Sequence, residues 1–314
     1  MSQRAARRID AFLDMLVAER GASANTLTAY RTDLDDLALF LAGRGLALDA
    51  AGSEELRAWL ADLSARGFAS TSIARRLSAA RQFHRFLQAE RVRPDDPTLV
   101  LEGPKRARGL PKVLTIDEME RMLATARALA DDAEASPRRR LAAARLVALV
   151  EAAYASGLRV SELVALPASA TRGDRRMIVV RGKGGKERLV PLSEPARAAL
   201  GAHAALLAGN GVDPDTSPWA FPSASSSGHL TRQQFARDLK DLAIASGLPP
   251  ARVSPHVLRH AFASHLLSGG ADLRVVQTLL GHADVATTEI YTHVMDDRLA
   301  SLVRDTHPLM DDAA

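Results

Sequence analysis

A short segment bounded by glycines and prolines constrains the fold of this chain more than any other feature. Residues 103–112 begin with Gly-Pro and end with Gly-Leu-Pro-Lys, and they hold four basic residues and no acid. Glycine and proline interrupt helices, so no helix continues across this segment. A length of 314 residues also suits two domains better than one. The sequence therefore predicts an N-terminal domain at 1–102, a basic linker at 103–112 and a second domain at 113–314.

Apolar side chains recur at helical spacing through the first domain and predict four helices. Gly21 and Gly43 end the first two helices, and Ser53 is the expected N-cap of the third. The fourth is expected from about Thr71 to Glu90, with a buried face formed by Ile73, Leu77, Ala80, His84 and Leu87. Four helices account for the whole of this domain.

The fourth helix also predicts a DNA-binding surface. Three arginines point away from its apolar face, namely Arg75, Arg81 and Arg85, and no acid lies between Arg75 and Gln88. Charged faces are usually just solvated, but a face without acids also suits phosphate contacts. The linker residues Lys105, Arg106 and Arg108 are expected to follow a nucleic-acid backbone in the same way, although a basic linker can also be a plain tether.

The second domain begins with helices and contains one β-hairpin. Thr115 and Glu118 form a capping box, and a later helix starts at Pro137 and ends at Gly157, which leaves Arg159 at the junction with the next helix. Two β-rich segments, 177–181 and 187–192, flank Gly-Lys-Gly-Gly-Lys and predict a hairpin with Lys183 and Lys186 at its tip. Ser193 and Thr231 are expected to begin two further helices.

Chemistry concentrates between residues 254 and 293, where five of the nine histidines lie. Ser254 is a good N-cap and Gly269-Gly270 a good stop, so a helix is expected from about Pro255 to Ser268. His256, Arg259 and His260 share one face near its N-terminus, where free backbone N–H groups favour an anion. The pattern predicts a phosphate-binding site at the N-terminus of this helix.

The segment continues through further helices. Asp272 is expected to cap one that Gly281 ends, which puts His282 at a tight bend, and Asp284 to cap another that carries Tyr291. Taken singly, histidines on helix faces are more often satisfied core residues, and this is the expectation for His260, His265 and His293.

The amino-acid composition excludes several classes of protein and of functional site. There is no cysteine, which excludes disulfides and thiol catalysis. His256 and His260 have metal-ligand spacing but lack the glutamate of an HExxH motif, so no metal or other cofactor is expected. No apolar run approaches about 18 residues and no signal peptide is recognisable, so a cytoplasmic protein is expected. The net charge of +4 is compatible with a polyanionic partner.

The scattered polar groups form a chemically complete set for DNA strand transfer. Two arginines can clamp a phosphate and stabilise a pentacoordinate transition state without a metal. A tyrosine hydroxyl can attack phosphorus and conserve the bond energy covalently, and a lysine can protonate the departing sugar oxygen. The candidates are Arg159, Lys183, His256, Arg259, His282 and Tyr291.

Their order along the chain resembles the tyrosine recombinase (phage integrase) family. The motifs Ser156-Gly-Leu-Arg-Val-Ser-Glu-Leu, Gly182-Lys-Gly-Gly-Lys-Glu-Arg and Gly281 to Val294 are similar to those of the Xer site-specific recombinases, nearest to their D type. The resemblance implies a mainly α fold, with an N-terminal four-helix, SAM-like core-binding domain and a mixed, mostly α catalytic domain with a small antiparallel β-sheet.

The resemblance also implies a role for each candidate. Arg159 and Arg259 would bind the scissile phosphate, Lys183 would be the general acid, and His256 would assist proton transfer. His282 would hydrogen-bond the phosphate, and Tyr291 would form a 3′-phosphotyrosyl link. Lys186 on the same hairpin is a further expected DNA contact.

The implied partners are double-stranded DNA with a dif-like site, a related XerC-type recombinase in a heterotetramer, and a septal DNA translocase (FtsK-like). The family exchanges strands through a Holliday junction, and a C-terminal segment, here about Leu299 to Ala314, would pack on the neighbouring protomer. Three alternatives stay open: a mobile-element integrase or resolvase, a non-catalytic architectural DNA-binding protein, and a type IB topoisomerase, which shares the nucleophile.

Overall fold

The computed structural model describes residues 2–104, 113–171, 176–182, 187–211 and 217–281. The chain divides into two compact units, Met1–Gly109 and Leu110–Ala314. The boundary predicted within 103–112 stays a prediction, because residues 105–112 lie outside the described ones. Within the described parts, no helix is both long and apolar enough to cross a membrane.

The first unit contains the four helices that the sequence predicts. They are α1 (Gln3–Arg20), α2 (Ala24–Ala42), α3 (Ser53–Ala65) and α4 (Ser70–Ala89). Their apolar faces enclose one core, in which Phe12 and Phe83 meet edge to face at 5.6 Å. The predicted buried face of α4 is confirmed: Ile73, Leu77, Ala80, His84 and Leu87 are all buried.

One predicted helix cap in this unit is wrong. Ser53 is the first residue of α3, and Gly52 takes the N-cap position. The Gly52 backbone N–H donates to Glu55 Oε2 at 2.9 Å, so the glutamate side chain satisfies the donor that precedes the helix. The cap therefore lies one residue before the predicted Ser53.

The second unit is built on helix α6, whose C-terminal half is buried on every side. Its helices are α5 (Ile116–Ala130), α6 (Pro137–Ser156), α7 (Val160–Val164), α8 (Glu194–Gly209), α9 (Arg232–Ala245), α10 (Pro255–Ser268) and α11 (Leu273–Leu279). Helix α6 packs against α5, α8 and α10. All ten residues from Val147 to Ser156 are buried, so α6 forms the centre of this core.

The two strands of the second unit form the predicted hairpin. Strands β1 (Met177–Arg181) and β2 (Glu187–Pro191) pair antiparallel, with Val179 opposite Leu189. The inward side chains Ile178, Val180 and Val190 are buried in the core that α6 centres. With mostly helical units and this small sheet, the predicted fold class is confirmed.

Candidate active site

Four segments of the second unit converge on a cluster of arginines. The cluster consists of Arg159 at the start of α7, Arg188 on β2 and Arg259 on the first turns of α10. The fourth segment is the turn 279–281, which begins at the last residue of α11. Each arginine donates a hydrogen bond to one carbonyl of that turn: Arg188 to Leu279, Arg259 to Leu280 and Arg159 to Gly281.

Arg159 is placed by the way α6 ends. Gly157 closes α6 with φ of +59°, and the chain then turns directly into α7 with Arg159 as its N-cap. The guanidinium donates to Glu162 Oε1 and to the Gly281 carbonyl, both at 2.9 Å. The side chain is 36% exposed, so it is anchored on one side and open on the other.

Glycine is required at position 157 by both conformation and space. A Cβ there would lie 2.3 Å from Cδ1 of Phe262, a buried side chain of α10. The left-handed backbone is also one that side chains other than glycine rarely adopt. The close approach of α10 to the end of α6 is what brings Arg259 next to Arg159.

Arg259 is the second predicted phosphate ligand, and it is partly buried. It donates to the carbonyls of Gly157 and Leu280, both at 2.5 Å. Burial, together with the positive charge of Arg159, lowers the pKa of Arg259 to about 10. The guanidinium is still protonated at neutral pH, and a nearby anion would relieve the repulsion between the two arginines.

A buried carboxylate balances only part of this positive charge. Glu162 is 4% exposed and accepts hydrogen bonds from both Arg188 and Arg159. Burial alone raises its pKa, but these hydrogen bonds outweigh burial and hold the pKa at about 2. Three guanidiniums face one ionised carboxylate, so the cluster has a net charge of about +2 and suits an anion such as a phosphodiester.

The two histidines predicted on this face differ from the core histidine of α10. The helix begins with the predicted cap, in which Ser254 Oγ accepts from the Val257 N–H at 3.3 Å. His256 and His260 are exposed, so the expectation that His260 is a core residue is wrong. His265 is buried, and its Nδ1 lies 2.8 Å from the Tyr154 hydroxyl, which confirms the core expectation there.

Several predicted site residues lie outside the described residues. They are Lys183, His282 and Tyr291 of the catalytic set, Lys105, Arg106, Arg108 and Lys186 of the DNA-binding set, and His293. Segment 299–314 also lies outside them. The structure therefore brings Arg159 and Arg259 together and exposes His256 on the turn before Arg259 in the same helix.

The three arginines of α4 that were predicted to contact DNA have different surroundings. Arg75 forms an ion pair with the fully buried carboxylate of Asp33, and Arg81 donates to the Leu101 carbonyl at 2.5 Å. Arg85 is exposed, and no hydrogen bond or ion pair connects it to the described part of the chain. Arg85 is thus the arginine of α4 with the greatest freedom to reach a phosphate.

Sequence reasoning missed Arg188 and Glu162 as site residues. Arg188 follows the predicted basic tip of the hairpin, and Glu162 lies on the same helix as Arg159. Their pairing depends on β2 and α7 lying side by side, which no local sequence pattern indicates. Among the described residues, no group of three or more histidine, aspartate or glutamate side chains is placed to hold a metal ion.

The fold and this cluster define a class of protein. A positively charged site for an anion, next to the exposed His256, stands on a mainly α unit that follows a separate four-helix unit. Residues 112–298 match the family described as "Phage integrase family", and residues 9–91 match "Phage integrase, N-terminal SAM-like domain". These matches cover most of both units.

Two relatives extend this likeness over the full length. The tyrosine recombinase XerD of Bradyrhizobium diazoefficiens is 61% identical over 302 residues, which cover 95% of each chain. The tyrosine recombinase XerD of Brucella suis is 54% identical over 314 residues, covering 99% of this chain and all of the relative. The chain belongs to the phage integrase family of tyrosine recombinases. It is a DNA-binding enzyme that cleaves and rejoins DNA in site-specific recombination.

Solved structures share the fold at low sequence identity. The XerH recombinase bound to a palindromic difH substrate is 20% identical with a TM-score of 0.65, over 94% of this chain and 84% of that one. A lambda integrase tetramer bound to a Holliday junction is also 20% identical with a TM-score of 0.62, over 98% and 79%. At 20% sequence identity, the similarity to these two structures shows only that the fold is shared.

Proposed function

We propose that this recombinase acts on a dif-like chromosomal site and resolves chromosome dimers there. The single observation that carries the proposal is the 61% identity to a tyrosine recombinase XerD over 95% of both chains. The matched residues cover 95% of this chain and therefore extend into both units. The XerH relative of known structure, with a difH substrate, is a more distant parallel.

We propose that Arg159 and Arg259 bind the scissile phosphate. The support is their convergence on one turn, their partial exposure and the net positive charge that Glu162 leaves in the cluster. A guanidinium has five N–H groups, of which described residues engage two in each arginine, so further donors can face a phosphate. Such donors stabilise the charge that develops on the oxygens in the transition state.

The covalent chemistry is assigned to residues of the same family motif. Tyr291 is the proposed nucleophile and forms a 3′-phosphotyrosyl link, which conserves the energy of the phosphodiester for rejoining. Lys183 is the proposed general acid for the leaving sugar oxygen, and His256 and His282 assist proton transfer and hydrogen-bond the phosphate. Exposed His256, on the turn before Arg259, is compatible with this role.

The proposed assembly contains two kinds of recombinase. A XerC-type subunit would complete a heterotetramer that passes through a Holliday junction, and a septal, FtsK-like DNA translocase would activate the present chain. Because the substrate is chromosomal DNA and the translocase acts at the division septum, the place of action is the cytoplasm. The N-terminal unit would grip DNA through α4 and the basic segment 103–112.

A nicked suicide duplex tests the proposal. The duplex carries the dif-like site of the host chromosome and is incubated with the chain, a XerC-type partner and a metal chelator. We expect a protein–DNA adduct on denaturing gels that is absent for Tyr291→Phe, while DNA binding by that variant is retained. An adduct that forms only on mobile-element DNA would contradict the dif-like assignment, and binding without any adduct would contradict the proposed nucleophile.

A further inference from the structure

Arg188 is partly buried in the cluster, and all three of its guanidinium nitrogens donate hydrogen bonds. Nη1 and Nη2 donate to Glu162 Oε1 and Oε2 at 3.0 and 2.7 Å, and Nε donates to the Leu279 carbonyl at 3.3 Å. Its side chain is 15% exposed, against 36% for Arg159. Arg188 is therefore turned towards protein groups, and a substrate phosphate has Arg159 and Arg259 as its accessible ligands.

Glu162 transmits the position of Arg188 to Arg159. Its Oε1 accepts from Arg188 Nη1 and from Arg159 Nη1, and its Oε2 accepts from Arg188 Nη2 and from the Arg159 backbone N–H. Each carboxylate oxygen thus lies between the two arginines. The bidentate bond from Arg188 fixes the plane of the carboxylate, and the carboxylate then fixes the Arg159 guanidinium.

Arg188 also affects how much of the positive charge of Arg159 is available to a bound phosphate. With Arg188 present, the negative charge of Glu162 is shared between two cations. Without it, Glu162 would neutralise Arg159 more completely, and the cluster would fall from a net charge of about +2 to about +1. A weaker positive field at the site stabilises less of the charge that develops on a phosphate during cleavage.

The turn 279–281 gives Arg188 a second connection to the site. Its three consecutive carbonyls each accept from a different arginine, and the Arg188 bond is the first of the three. Gly281 has φ of +67°, and a Cβ there would lie 3.2 Å from the Arg188 guanidinium. The turn is therefore packed against Arg188, and it leads in sequence directly to His282.

We propose that Arg188 is a positioning residue for strand cleavage, acting through Glu162 on Arg159 and through Leu279 on the turn before His282. The inference rests on the proposed function, because it assumes that Arg159 binds the scissile phosphate. Arg188 lies outside the set of catalytic candidates, and its role is to orient groups that touch the phosphate and to keep their charge available.

The test compares Arg188→Gln, Arg188→Lys and a matched control, Arg181→Gln. Arg181 is on the paired strand of the same hairpin, its ion pair with Glu187 is exposed, and it has no bond to the cluster. Single-turnover adduct formation on the suicide duplex and affinity for the same duplex are measured separately, and circular dichroism and thermal unfolding check the fold.

For Arg188→Gln we expect the cleavage rate to fall about 30- to 100-fold, because the Arg159 guanidinium would be misplaced by about 1 Å. The affinity of this variant for the duplex should change less than about threefold. Arg188→Lys restores the charge but not the bidentate bond, so it recovers part of the rate. Arg181→Gln cleaves like wild type. A wild-type cleavage rate in Arg188→Gln, or a loss confined to affinity, would overturn the inference.

A double-mutant cycle with Glu162→Gln tests the route. If Arg188 acts through Glu162, its removal from the Glu162→Gln protein slows cleavage much less than its removal from wild type. If the two substitutions slow cleavage in a fully additive way, Arg188 does not act through the Glu162 carboxylate. The failure of the proposed function looks different, because then wild type and Arg181→Gln also form no adduct on the dif-like duplex.

Discussion

Glu162 couples the stability of the second unit to pH. Its folded pKa of about 2 lies below the ordinary 4.5, so its ionised form stabilises the fold. A depressed carboxyl pKa contributes stability that is complete above the unfolded pKa and is lost as pH falls through the folded one. The window of loss therefore runs from about pH 4.5 down to about pH 2, and the contribution amounts to about 3 kcal/mol.

We expect Glu162→Gln to remove most of the acid dependence in that window. The free energy of unfolding, measured in urea between pH 2 and pH 7, should fall steeply for wild type below pH 4.5 and less steeply for the variant. The variant is also less stable at neutral pH, because the partly buried Arg188 then loses its counter-charge. Parallel pH profiles for the two proteins would show that other carboxylates cause the acid sensitivity.

Gly157 is the residue on which the junction between α6 and α10 depends. Gly157→Ala should destabilise the fold by about 2–5 kcal/mol, because a side chain there is strained in the left-handed region and overlaps Phe262. Gly247 is a matched control, with φ of +70° and nothing within 4 Å of a built Cβ.

The control Gly247→Ala should show only the conformational cost, about 1–2 kcal/mol. Urea titration of both variants gives the two values, and the difference between them measures the packing of Gly157 against α10. Equal losses in the two variants would mean that this close approach does not constrain the site.

At the scale of elements, we expect different arginines of α4 to serve stability and DNA binding. Arg75 pairs with the buried Asp33, whose pKa burial raises despite the arginines near it, whereas Arg85 is exposed. Arg85→Gln should leave thermal stability unchanged, weaken DNA binding and reduce the slope of log affinity against log salt by about 1.

Arg75→Gln has the opposite main effect. It leaves the Asp33 carboxylate with weaker compensation, so we expect a loss of about 1–3 kcal/mol in unfolding free energy. Filter binding across a salt series and thermal unfolding separate the two variants. If Arg85→Gln leaves the salt slope unchanged, α4 does not contact phosphates through that residue.

The elements also show how far the sequence could be interpreted alone. Helix α10 begins at the predicted Ser254 cap and ends at the predicted Ser268, because caps, glycines and apolar spacing are local signals. The Arg188–Glu162 pair joins residues 26 positions apart, and Arg188 reaches Leu279 over 91 positions. Such contacts depend on how elements pack, as does the Arg75–Asp33 pair, so no local pattern predicts them.

At the scale of the whole molecule, each unit has a core of its own. The first unit encloses Phe12, Trp59 and Phe83 among its four helices, and the second encloses the C-terminal half of α6. A domain of about 100 residues with one continuous core is large enough to fold independently. We therefore expect the two units to fold separately, with the predicted linker 103–112 between them.

We expect a fragment of residues 2–104 to unfold in one cooperative thermal transition, and a fragment of residues 113–314 to do the same. Each should bind DNA weakly and with strong salt dependence, because each offers only part of the basic surface. If both units bind DNA, linking them in one chain should raise the affinity above that of either fragment by about 10²–10⁴.

Calorimetry of the fragments and filter binding of all three proteins to one duplex check this prediction. A non-cooperative transition in the 2–104 fragment would show that its core depends on the second unit. An affinity of the 113–314 fragment equal to that of the full chain would mean that the N-terminal unit adds nothing to the grip on DNA. In that case the expected DNA-binding role of Arg75, Arg81 and Arg85 would be wrong.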